Sequence, residues 1–387
     1  MYHKTPLPYS PIALQKRDGM MRAMASPPRR LLYWLAQPAL MFFALPWLMA
    51  LLTLGTVSQR YIGLYASQKL FFGSFLLWAG MVPLPGAYST LSLIALSLLA
   101  KLLLKSPFGV KQAGTILIHV SMLVLLVGGL VSALMREEGY LVLGDGDSAK
   151  SVLDYRQRDL VLLNNGEPVK TMPFAGMRAG DVYKFSALPF TLQVQRVCFP
   201  CGARARVEPR GNLRGVAAKL ELISVPYSKQ DEQNLTGMDI GVSGAGAADG
   251  TYIAFEGLSE PEAVTINGIR YAFALRPASR PLPFSVRLLH FAKSDYPGTD
   301  EARAYRSDVA IKDGGLEWNA AIEMNQPLRY KGYTLYQSSF VDGGGRLMSV
   351  LAVVKNAGEW FPYIALFMLC AGLVAHVLIV LRSRDAR

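Results

Sequence analysis

Residues Thr115 to Leu134 read TILIHVSMLVLLVGGLVSAL, a run with no formal charge and a single histidine, His119. A helix of about 20 residues crosses the roughly 30 Å of hydrocarbon in a bilayer. Few other chain conformations suit such a run, because unmet backbone N–H and C=O groups cost several kcal/mol each in lipid. Three more stretches qualify. With the one above, the expected spans are about Leu31–Val57, Ala87–Leu104, Ala113–Leu134 and Trp360–Leu381. The first carries Pro38 and Pro46, which are expected to kink it. Leu70–Gly86 is also apolar, but only about 13 residues precede Pro83, or roughly 20 Å of helix. That is too short to span. An interfacial or re-entrant segment suits it, with Trp78 and the phenylalanines at headgroup depth.

The chain has 387 residues, 51% hydrophobic and 18% charged. That is apolar for a soluble protein, yet too polar for one lying wholly in the membrane. The net charge of +12 does not point to nucleic acid, since much of it flanks the apolar segments and no nucleic-acid module is present. Residues 1–30 form a basic arm with Lys4, Lys16, Arg17, Arg22, Arg29 and Arg30. The arm is too polar, and the run after it too long, for a cleaved signal peptide. Lys101, Lys105 and Lys111 lie around the loop between spans two and three, and Arg382, Arg384 and Arg387 end the chain. With four spans these groups share one side, which the positive-inside rule makes cytoplasmic. A fifth span at Leu70–Val82 would put the lysines outside.

The expected fold is therefore a membrane protein with four α-helical spans and a large extracytoplasmic all-β domain inserted between spans three and four. The domain covers residues 135–358, and residues 359–387 form the last span and a basic cytoplasmic tail. Asn165-Gly166 and Asn267-Gly268 are strong hairpin signals. Asp313-Gly314-Gly315 separates two further strand candidates, and Gly241–Gly250 reads as a flexible loop. FSVRLLHF alternates, with Phe284, Val286, Leu288 and His290 on one face. Many short strands with close turns predict a sandwich or a packed pair of sheets.

The chain has four histidines. His3 lies in the polar arm and is expected to be solvated. His290 is expected to be structural or exposed. His119 lies eight residues past Lys111, about 12 Å along a helix, and His376 lies six before Arg382, about 9 Å. Span four runs the opposite way, so both belong in the cytoplasmic half at similar depth. Two neutral imidazoles at one level suit a metal or a haem iron. They suit equally well two separate helix-packing contacts, or contacts to different partner subunits.

Three cysteines give no disulfide framework. Cys198-Phe-Pro-Cys201 is not a c-type haem attachment site, because Gly202 stands where histidine is needed. Two further zinc ligands are not evident, and the βαβ setting of a thioredoxin-like motif is missing. A local disulfide or a free pair is the favoured reading, with a redox role as the alternative. Cys370 is expected to be an apolar packing residue. No phosphate loop, nucleophile elbow or paired carboxylates stand out, so no catalytic residue is assigned.

EMNQPLRYKGYTLYQSSF (Glu323–Phe340) resembles a signature of the ResB family, also called CcsB. FSVRLLHFAKSDYPGTDEARAYRSDVAI, with Tyr296-Pro297-Gly298 and Tyr305-x-Ser307, is similar to that family too, as are FFGSFLLWAGMVPLPG and His119-Val-Ser121 followed by Gly128-Gly129. The resemblance runs from about Leu54 onward. In physical terms the signature is a strand, a turn at Lys331-Gly332 and a second strand, with Asn325, Tyr336 and Gln337 available for hydrogen bonds within the sheet.

The resemblance implies one half of the System II machinery of cytochrome c biogenesis, in the bacterial cytoplasmic (inner) membrane. It implies a CcsA (ResC)-type multispan partner rich in tryptophan, b-type haem in transit, and apocytochrome c as the client. It makes His119 the candidate axial haem ligand, with His376 as the weaker in-chain rival. If Cys198 and Cys201 exchange disulfides, thioredoxin-like thiol reductases become partners. The five tryptophans are scattered, so the chain resembles a non-catalytic subunit of a haem–cytochrome c synthase complex. The alternative is a membrane scaffold or assembly factor that binds no haem. A transporter finds no support in an inverted repeat or paired broken spans.

Overall fold

The computed structural model describes residues 27–385, apart from 107, 187, 208–210 and 300. The basic arm up to residue 26, with His3, and the final residue Arg387 lie outside the described residues. The chain divides into two compact units, one of Met1–Met135 with Ala357–Arg387 and one of Arg136–Asn356.

The first unit contains helices α1 (Pro27–Leu35), α2 (Pro38–Ile62), α3 (Ala87–Lys105), α4 (Ala113–Met135) and α5 (Phe361–Asp385). Among the described residues, four helices are long and apolar enough to cross a membrane: Pro38–Ile62, Ala87–Lys105, Val110–Met135 and Phe361–Ser383. The expected first span begins later than predicted. Pro38 does not kink a continuous helix; it starts a new one. The residue before it, Gln37, is extended at φ −86° and ψ 132°, because the proline ring excludes the helical region for its predecessor. Pro46 stays inside α2. Ser97 Oγ of α3 donates to the Leu35 carbonyl at 2.6 Å, tying α3 to α1.

The apolar stretch before α3 does not span, as expected, but its form is not a helix. A π-helical turn, Gln68–Phe72, leads into a hairpin of β1 (Leu76–Ala79) and β2 (Val82–Pro85). Gly80 takes φ +64° at the turn, and Pro83 and Pro85 are tolerated because both strands are edges. Trp78, Met81 and Val82 are exposed on the hairpin. Trp47 Nε1 of α2 donates to the Pro85 carbonyl at 2.9 Å and holds its base.

The second unit is antiparallel β. Its smaller sheet has five strands: β6 (Val182–Lys184), β7 (Thr191–Ala205), β8 (Leu220–Ser224), β9 (Leu235–Ser243) and β10 (Gly250–Phe255). Its larger sheet has ten. They are β3 (Glu137–Gly144), β4 (Ser148–Asn164), β5 (Glu167–Pro173), β11 (Glu262–Ile266), β12 (Ile269–Asp295), β13 (Ala302–Asp313), β14 (Leu316–Glu323), β15 (Leu328–Tyr330), β16 (Tyr333–Asp342) and β17 (Leu347–Lys355). The main order is β14-β13-β12-β4-β3-β17-β16-β15.

The two largest cores among the described residues both draw on β4 and β12. One is sheet on sheet: Leu160, Leu162 and Phe273 from the larger sheet meet Leu192, Met238 and Ile240 from the smaller. Phe273 is 1% exposed, and truncating such a ring usually costs about 3–5 kcal/mol. The other core lies within the larger sheet, which curls so that β13 meets β16; Leu288, Val309, Leu335 and Leu351 fill it. Between the cores β12 is irregular, with pairing shifts between Pro277 and Ser279 and between Pro281 and Val286. Arg280 bridges to buried Asp154 of β4 there at 3.2 Å, and Asp154 also accepts from the backbone N–H groups of Arg156 and Gln157.

Asn165-Gly166 and Asn267-Gly268 form their hairpins with positive φ at all four residues, the geometry a two-residue type I′ turn demands. Gly314 likewise turns between β13 and β14 at φ +59°. The Gly241–Gly250 stretch is shorter as a loop than expected, since residues 241–243 belong to β9 and Gly250 opens β10. His290 does not share a face with Leu288. A bulge between them flips the alternation, so Phe291 is buried and His290 turns outward, 3.3 Å from Asp145.

Candidate functional site

His119 lies on α4, one turn after Thr115. Its Nδ1 is 2.7 Å from the Thr115 carbonyl oxygen. A carbonyl only accepts, so Nδ1 carries the proton and Nε2 keeps its lone pair. That lone pair faces Lys101 of α3, whose Nζ lies 3.2 Å away. Both side chains are half-buried. The imidazole in the apolar run is thus satisfied at both nitrogens.

His376 approaches the same residue from α5. Its Nδ1 lies 3.3 Å from Thr115 Oγ1. The two membrane histidines therefore meet one threonine, His119 at its backbone and His376 at its hydroxyl. His376 is exposed on the surface of the unit. Gly114 makes this approach feasible, because a Cβ there would stand 2.4 Å from the backbone nitrogen of His376.

His119 fits a haem iron in its donor chemistry. Such an iron takes a neutral imidazole nitrogen, and the N–H bond from the other nitrogen to a carbonyl fixes the tautomer and the ring. His376 offers a less fixed ring. Lys101 and Thr115 are the members that sequence reading missed. Lys101 had a signal, since it stands one turn inside an apolar span; counting it as a flanking charge concealed that.

Cys198 and Cys201 lie on β7 in the other unit and are joined as a disulfide. Both are buried, at 4% and 2% exposure, against Ala217, Leu222 and Ile253. A Cβ on Gly237 would come within 2.8 Å of the Cys201 sulfur, so the backbone is built around the pair. Sulfurs this enclosed are poor targets for an attacking thiolate. Replacing both cysteines by serine is expected to lower the stability of this unit by about 2 kcal/mol, read by thermal unfolding, with cytochrome maturation preserved. Maturation lost at normal protein level, and restored by added thiol reductant, would make the pair a redox element instead. Cys370 on α5 is exposed on the surface of its unit.

The Glu323–Phe340 signature is structural in its contacts. Ser307 Oγ of β13 donates to Gln337 Oε1 of β16 at 2.6 Å and lies 2.8 Å from Ser349 Oγ of β17. Gln337 Nε2 donates to the Ser339 carbonyl. All three side chains are buried, and a satisfied buried network of this kind fixes which strands meet. Asn325 is exposed, and Tyr336 is 37% exposed. Lys331-Gly332 makes the expected turn, with φ of +48° and +77°. Lys331 pairs with Asp313, and the Tyr330 hydroxyl donates to the same carboxylate at 2.6 Å. Those two bonds, the lysine's first, hold the Asp313 carboxyl below its usual range. No group of three or more metal-ligating side chains occurs among the described residues.

These features define a class: a multi-pass protein with four apolar helices, an antiparallel β unit between the third and fourth, and an imidazole held within the helices. Residues 242–357 match the model of the ResB-like family, and the resemblance read from the sequence is borne out there. The match covers β10 to β17 and the Gln337 network; it does not extend to His119. The chain is also 24% identical to Protein NrfI of Wolinella succinogenes over 266 residues, which cover 68% of this chain and 27% of that protein. The chain spans about a quarter of the length of that relative.

Proposed function

We propose that this chain is a cytochrome c biogenesis subunit that carries b-type haem across the bacterial cytoplasmic membrane. In this reading it works with a CcsA (ResC)-type, tryptophan-rich membrane partner, which joins it in delivering haem to apocytochrome c. The ResB-like match and the similarity to NrfI support the biogenesis role. The observation that carries the haem reading is the fixed tautomer of His119, with Nδ1–H on the Thr115 carbonyl and a lone pair on Nε2. Bound haem would supply an iron that accepts that lone pair; the chain's own residues orient the ring and keep it in an apolar setting. The partner would supply the other group that holds the haem, and His376 would be the in-chain rival.

The basic residues around the helices support a cytoplasmic position for the arm, the loop near Ser106 and the tail, with the β unit outside. Reporter fusions after Arg30, near Ser106 and after Arg382 are expected to read cytoplasmic. Fusions between residues 140 and 350 are expected to read extracytoplasmic. A cytoplasmic β unit would end this reading, since the covalent attachment it serves lies on the outer side.

One observation favours a scaffold that binds no haem. Lys101 already occupies the Nε2 of His119, so the imidazole has a structural partner. Haem content of the purified complex separates the two readings.

A further inference from the structure

Lys101 has an unusual setting. The sequence holds no aspartate or glutamate between residues 31 and 135, and none within the fourth span. Among the described residues no carboxylate pairs with Lys101; its ammonium rests on a neutral ring nitrogen 3.2 Å away. A lysine near a span's end ordinarily extends its stem and places its charge at the interface. Lys101 sits four residues, about 6 Å, inside Lys105 at the end of α3. Its Nζ turns instead to the histidine of the neighbouring helix. A cation in low dielectric without a counter-ion is a standing attraction for an anion.

The lone pair that Lys101 caps is the one that would ligate a metal. A ligand reaching His119 through its iron must first displace the ammonium. The displaced group then has a long flexible stem, a positive charge and, among the described residues, no carboxylate paired with it. Haem brings ionised carboxylates of its own. We infer that Lys101 is a displaceable cap on His119 Nε2 and the cationic partner of a carboxylate on the iron porphyrin that replaces it. The inference rests on the proposed haem reading and adds the residue that recognises the ligand's acidic edge. It involves no bond-making beyond exchange at Nε2: one hydrogen bond is lost, one coordination bond forms, and the ammonium gains a carboxylate.

The test compares haemin with haemin dimethyl ester, which keeps the iron and lacks the charges. Each is titrated into the full chain in detergent, followed by Soret absorbance. The wild type is expected to favour haemin by about tenfold, the scale of one charge-assisted contact away from bulk water. Lys101→Met should abolish that preference and keep the histidine-ligated band, and Lys101→Arg should retain both. Unfolding in SDS checks that the variants are intact. An intact Lys101→Met protein with undiminished preference for haemin would overturn the inference. So would an intact Lys101→Met protein with no histidine-ligated band. His119→Ala reports separately: an unchanged band there removes the haem reading of His119, whatever the ester comparison gives. A wild type that binds neither compound overturns both.

Discussion

Replacing His119 by glycine is expected to remove most co-purifying haem from the membrane complex, by at least about tenfold, and to stop c-type cytochrome assembly. Insertion and protein level should hold, because the ring's bonds are to the carbonyl of its own helix and to one lysine. Neither bond closes the packing of α4 on α5, which runs through glycines. Imidazole in the medium should restore part of the haem, since a free ligand can fill the space that glycine leaves. His376→Ala should have a smaller effect: its ring is exposed and its contact to Thr115 Oγ1 is long, at 3.3 Å. Haem content and maturation at wild-type level in the His119 variant would reduce the residue to a contact with Lys101. The chain would then be a scaffold.

The membrane part was legible because hydrocarbon thickness and backbone satisfaction leave few options for an uncharged 20-residue run. What escaped was local. Pro38 reads as a kink within a span, but the restriction it places on Gln37 ends one helix and starts another. The stretch before α3 was judged by its length as a helix, while Gly80 and the two prolines already marked a turn and an edge pair. In the β unit the two Asn-Gly turns were legible for a reason of chemistry, since both residues must adopt positive φ. The face of His290 was not. Alternation predicts a face only while the register holds, and a single bulge after Leu288 reverses it.

The candidate site was half legible. Rise per residue and the lysine and arginine flanks put His119 and His376 at one level, and the structure brings both to Thr115. The partner that matters most for His119 was hidden by its class. A lysine near a span's end looks like a topology signal, and only the packing of α3 beside α4 shows where its ammonium goes. The Thr115 carbonyl leaves no mark in composition at all. The Gln337 network was read as available for hydrogen bonds, but its partners Ser307 and Ser349 are 30 and 12 residues away, and no local pattern could have paired them.

Gly128 and Gly129 are adjacent on α4, and alanine at each is expected to act in opposite ways. A Cβ at Gly128 would stand 2.1 Å from Cβ of Phe361, the first residue of α5. A Cβ at Gly129 would meet nothing within 4 Å. In lipid, helices gain little from hiding apolar surface from one another, so close approach of small residues carries the association. Gly128→Ala must therefore push the two helices apart or turn Phe361 aside, at about 1–3 kcal/mol for the forced repacking. Gly129→Ala should leave stability unchanged or raise it by a few tenths of a kcal/mol, because glycine is the poorer helix former. The measurement is the midpoint of unfolding in a titration from mild detergent into SDS. The same contact line continues to Gly114 and Gly372, where added Cβ atoms would meet the His376 backbone and Ile118. Gly114→Leu should then combine the stability loss with loss of haem, since it separates the two histidines' helices at the level of Thr115. Equal midpoints for the two alanine variants would mean that α4 and α5 are held together by something other than this line of glycines.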